Sequence, residues 1–154
     1  MRMTRKAAIY AATKKEPVAL TVTKTQYTGR EAGGGLLNNG TVGHAYTTYY
    51  AMALTFTAPK NMSRVTLGIS GTHNNYQRGV AYRCGVAAYL PDNNATGGTV
   101  FYEPTASGGT VSATVTLKQN FSAGKEYTVW LWSSGNATGG YDFINKLTIT
   151  LEGV

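Results

Sequence analysis

Apolar residues recur at every second position along most of this chain, the period of a β-strand. Residues 127–132 show it most clearly: Tyr127, Val129 and Leu131 fall on one face, and Thr128, Trp130 and Trp132 on the other. Residues 111–118 repeat the pattern, with Val111, Ala113, Val115 and Leu117 opposite Ser112, Thr114 and Thr116. The shared apolar row marks the core face, so both tryptophans are expected to point away from the core. Further strands are predicted over residues 17–23, 47–57, 64–70, 80–90, 99–102 and 142–151. In 47–57 the row Tyr50, Met52, Leu54 and Phe56 is expected inward; in 142–151 the inward set is Phe143, Leu147, Ile149 and Leu151. Turn-forming segments rich in Gly, Asn and Pro separate these runs, and no helical stripe exceeds two turns.

The expected fold is therefore all-β: a single antiparallel β-sandwich, jelly-roll-like, of seven or eight strands. A small closed barrel is the alternative. Composition agrees, with 19 glycines, 11 tyrosines and 14% charged residues in 154. A chain of this length builds one core.

Charge then divides the chain. Residues 1–30 hold seven bases against Glu16 alone, a net of +6; residues 31–154 hold seven bases and six acids, a net of +1. Residues 1–16 are read as a basic N-terminal arm and 17–154 as the β-sandwich domain. Arg2, Arg5, Lys6, Lys14 and Lys15 are the candidate anchoring residues of the arm. Residues 7–12 are too short an apolar run for a secretory signal or a membrane span. The chain is expected to be made in a cytoplasm, without a membrane partner.

Candidate chemistry is sparse. Cys84 is the only cysteine, so no intrachain disulfide forms, and its strand context marks it as a small core residue. His44 and His73 fall in Gly-, Asn- and Thr-rich segments read as loops, and no HxH or CxxC spacing occurs. No metal or cofactor is expected. The two aspartates, Asp92 and Asp142, each lie near an Asn-Ala-Thr-Gly-Gly segment and could approach one another, but a turn or strand-end role suits each better. Binding is better supported than catalysis. Trp130 and Trp132, with Tyr89, supply a platform of rings, and Asn74, Asn75, Gln77 and Asn93 supply loop amides, the pairing of surfaces that holds a sugar. The competing reading covers both indoles with the arm or with a neighbouring subunit. The body lacks the basic stripe interleaved with aromatics that a single-strand nucleic-acid binder carries, which weighs against nucleic acid.

The signal-less start, the basic arm, the Thr/Gly/Asn/Tyr-rich body and the terminal strand Phe143-Ile144-Asn145-Lys146-Leu147-Thr148-Ile149-Thr150-Leu151-Glu152-Gly153-Val154 together resemble a small structural protein of a tailed bacteriophage. The stretch from Val115 to Trp130, a strand, a Gly124 turn and an aromatic strand, is similar to β-sandwich modules of the carbohydrate-binding type. The resemblance implies a non-enzymatic head or tail accessory protein of a virion, such as a capsid decoration. Its partners would be other virion proteins and itself, as a homo-oligomer or in many copies, with a host glycan as the alternative ligand. No site residue is carried over from either likeness.

Overall fold

The computed structural model describes residues 16–29, 40–45, 48–75, 78–89, 96–135 and 141–154. The candidate anchoring residues Arg2, Arg5, Lys6, Lys14 and Lys15 of the expected arm, and Gln77, Asp92 and Asn93, lie outside them. The described residues form β1 (Val18–Ala19), β2 (Val22–Gly29), β3 (Val42–Ala45), β4 (Thr48–Thr57), β5 (Met62–Asn74), β6 (Ala81–Val86), β7 (Thr99–Tyr102), β8 (Thr110–Phe121), β9 (Glu126–Ser134) and β10 (Tyr141–Gly153).

All pairings are antiparallel, as the alternation requires. The ten strands make one continuous sheet in the order β7-β6-β9-β4-β3-β10-β5-β8, with β1 on β10 and β2 on β4. β7 and β8, the ends of this path, touch without a ladder among the described residues. The result is a nearly closed, barrel-like sheet, which brings the fold nearer to the small-barrel alternative than to two separate sheets. Of the two strands beyond the expected eight, one comes from splitting and one from a segment read as loop. Residues 17–23 divide into β1 and the start of β2 at Leu20, which turns into the core and donates its N–H to the Leu151 carbonyl at 2.9 Å. Residues 42–45, read as the end of a loop, become β3 and bridge β4 to β10.

The interior has two ends of different chemistry. At one, Phe56, Phe121 and Tyr127 meet: Phe121 crosses Tyr127 edge-on at 4.9 Å, and Phe56 stacks on Tyr127 at 5.9 Å between ring centroids. Between the ends, Met52, Leu54, Val65, Leu67, Val115, Val129 and Leu131 fill the core. Each such buried apolar side chain contributes roughly 1.5–3 kcal/mol by leaving water. The other end is polar.

One expectation is corrected here. Phe143 lies outside the main core cluster, and Asp142 and Ile144 take the inward row of β10 in its place. A bulge between Asn145 and Thr148 causes the change: Lys146 adopts a left-handed φ of 54° and the register with β5 shifts. One extra residue reverses which side chains point inward. Beyond the bulge Leu147, Ile149 and Leu151 face the core as expected. The bulge is held by Leu147 N–H donating to the Gly40 carbonyl at 2.9 Å and by the Thr41 hydroxyl donating to Asn145 Oδ1 at 3.0 Å.

Candidate functional site

The polar end gathers side chains that are far apart in the chain. β10 supplies Asp142, β5 His73, β3 His44, β6 Tyr82 and β9 Ser133; the first four are fully buried and Ser133 nearly so. His44 and His73 are strand residues on inward rows, which corrects their reading as loop residues. The register places them: His44 lies opposite Asp142, and His73 opposite Ile144.

Asp142 is the hub. Its Oδ1 accepts from His73 Nε2 at 2.8 Å and from the Tyr82 hydroxyl. His44 Nδ1 shares a hydrogen bond of 3.3 Å with Ser133 Oγ. The Tyr102 ring lies edge-on to His73 at 5.5 Å and tilted against Tyr82 at 6.1 Å. His73 Nδ1 has no hydrogen-bond partner among the described residues. Burial first, and then the Asp142 charge, raise the Tyr82 phenol far above its ordinary value and raise Tyr102 in the same direction, so both stay protonated. Burial pushes the Cys84 thiol up to about 12, which makes it an inert core group.

Serine, histidine and aspartate in one place invite comparison with a nucleophile–base–orienter chain. Ser133 shares a hydrogen bond with His44, Asp142 accepts from His73, and the Asp142 charge also acts on His44. With every member sealed from solvent, the arrangement is a buried polar network that fixes the register of β3, β5, β6, β9 and β10. Among the described residues no group of three or more His, Cys, Asp and Glu could hold a metal ion.

The network carries a pH prediction through His44. Burial lowers its pKa below 6.5, and the Asp142 charge offsets this only in part. The unfolded chain therefore takes up the His44 proton at a higher pH than the folded protein does. Stability from this group is complete above pH 6.5 and declines as pH falls below it toward the depressed folded value. Urea midpoints measured from pH 8 down to pH 5 should show this decline, and His44→Gln should flatten it. Equal slopes in the two proteins would show that His44 is not the group responsible.

The expected ring platform is arranged differently. Trp130 and Trp132 do lie on the outer face of β9, but both are buried, at 7% and 6% exposure. They form a small second cluster with Ala51 and Ala53 of β4, and Ala87 packs against it. Small neighbours make the bed: a side chain at Gly98 would meet Trp132 Cη2 at 2.6 Å, and one at Gly85 would meet it at 3.6 Å. Arg83 closes one side, donating from Nε to Ser134 Oγ at 2.6 Å and from Nη1 to the Thr96 carbonyl at 2.7 Å. Trp130 Nε1 has no partner among the described residues. Tyr89 is separate and 83% exposed. Asn74 ends β5 opposite Phe143, and Asn75, exposed with a φ of 57°, turns the chain away from it.

A cleft of about 390 Å³ opens at the aromatic end. β7 pairs with β6 only as far as Cys84, so Val86 and Ala87 beyond it form one wall. Gln119 of β8, Lys125 of the β8–β9 turn, and Glu126 and Tyr127 at the start of β9 form the other. Lys125 Nζ sits over the Tyr127 ring, 5.7 Å from its centroid. Periodicity alone could not reveal this cleft, because it depends on where β7 stops.

The chain matches no protein-family model and no curated protein.

Proposed function

We propose that the chain is a non-enzymatic structural component of a virion, a head or tail accessory protein whose basic arm anchors a compact body to its neighbours. The charge division carries this reading: a net of +6 in residues 1–30 precedes a body of +1. Such an arm suits an acidic surface on a partner protein, while a near-neutral body can stand in many copies side by side without strong mutual repulsion. Among the described residues the buried main cluster begins at Leu20, beyond the arm. In this reading the flattened barrel serves as a jelly-roll-like sandwich module, β10, β5 and β8 facing β4, β9 and β6 across the core, and neighbouring copies meet through its faces and loops.

Removal of residues 1–15 tests the reading. The truncated body should keep the cooperative unfolding of the full chain and lose incorporation when co-expressed with the remaining particle proteins. Normal incorporation without the arm would overturn the anchoring role.

A further inference from the structure

We propose that the cleft at the aromatic end is a binding site for a neutral saccharide of one or two rings. This goes beyond the assembly role and does not depend on it. At about 390 Å³ the cleft has room for such a ligand, and it lies within the roughly 300–1,000 Å³ typical of small-molecule pockets.

Gln119 carries the inference. Gln119 falls in the β8 segment between Lys118 and Phe121 where the register with β5 shifts, and it is exposed while Leu117 and Phe121 on either side are buried. Such a bulge re-aims the side chain it carries. Gln119 lines the cleft, where its amide offers both a donor and an acceptor. That is the pair a sugar's vicinal hydroxyls engage.

The remaining lining suits the same class. Val86, Ala87 and Ala88 supply an apolar wall for the C–H face of a ring. The Tyr127 ring holds the Lys125 ammonium at the opposite wall as a hydrogen-bond donor, and Glu126 beside it is an acceptor. Their charges cancel, which favours a neutral polyol over an anion or a cation. Tyr89, the residue after Ala88, is 83% exposed. A saccharide contact thus moves from the buried indoles to a site that neither of them lines.

Full-length protein would be titrated with glucose, galactose, mannose, N-acetylglucosamine and lactose. Saturation-transfer NMR would read the ligand, and tryptophan fluorescence the protein, because Ala87 both lines the cleft and packs on the indole cluster. At least one of these sugars should bind saturably. Gln119→Ala should weaken it about tenfold, the loss expected for a hydrogen bond to a neutral ligand. Ala88→Trp, which fills the cleft from an exposed position, should abolish binding, with both variants melting as the parent does. No saturable binding by any of the five sugars would overturn the proposal. So would binding that survives both substitutions unchanged. Particle incorporation is a separate readout, so either failure leaves the anchoring role standing.

Discussion

Replacing Asp142 with alanine lowers the unfolding free energy by about 2–6 kcal/mol, about 1–3 kcal/mol for each of two buried donors left without their acceptor. Asp142 Oδ1 accepts from both His73 Nε2 and the Tyr82 hydroxyl, and all three side chains are fully buried. Its removal leaves two donors in a dry interior where water cannot replace the acceptor. Tyr82→Phe removes only one donor and leaves the His73 contact in place, so its cost should be nearer about 1 kcal/mol. Asp142→Asn keeps an acceptor oxygen and should fall between the two. Urea denaturation at pH 7.5 or above, where the titration of His44 plays no part, measures all three. A loss below about 1 kcal/mol for Asp142→Ala, the range of solvent-exposed pairs, would mean that water reaches the network.

Gly43→Ala should cost about 3 kcal/mol or more, through crowding of the backbone beside the same network. Gly43 has a φ of 151°, and a Cβ built there meets the Asp142 carbonyl oxygen and comes within 2.8 Å of Phe143 Cα. Neither atom belongs to a flexible side-chain end, so β3 must move away from β10. That movement separates His44 from Asp142, its partner in register. Gly124 provides the comparison, with a φ of 80° and nothing within 4 Å of its built Cβ. Gly124→Ala bears only the conformational strain of a left-handed residue, about 1–2 kcal/mol. Denaturation midpoints of the two variants separate crowding from strain. Equal losses would show that β3 does not press on β10 as closely as the register indicates.

Both experiments address the end of the barrel that sequence reading described least well. The His73 signal was present: the alternation Val65, Leu67, Ile69 continues through Gly71 to His73, and β5 runs unbroken to Asn74. Glycine and asparagine around it favour turns, and that local preference obscured a strand whose length is supported by ladders on both edges. Asp142 was obscured by a different cause. With Leu147, Ile149 and Leu151 inward, strict alternation places Phe143 inward and Asp142 outward. The bulge at Lys146 reverses this, and the Gly40 carbonyl and Thr41 hydroxyl that hold it lie more than a hundred residues upstream.

The sequence by itself determined the all-β class, the inward rows of β4, β8 and β9, the core place of Cys84, the outward face of both tryptophans and the basic charge of the first thirty residues. Each follows from local composition or from a period of two, which survives without knowledge of the neighbouring strand. Tertiary structure alone decided that the strands join in one nearly closed sheet, because strand order depends on pairings between distant residues. It also decided that Trp130 and Trp132 are covered, since Ala51, Ala53, Gly85 and Gly98 make room for them from other strands. The convergence of His44, His73, Tyr82 and Asp142, and the cleft where β7 ends, have the same origin. Burial and contact at these places are set by register and closure, long-range quantities on which residue identity at one position carries little information.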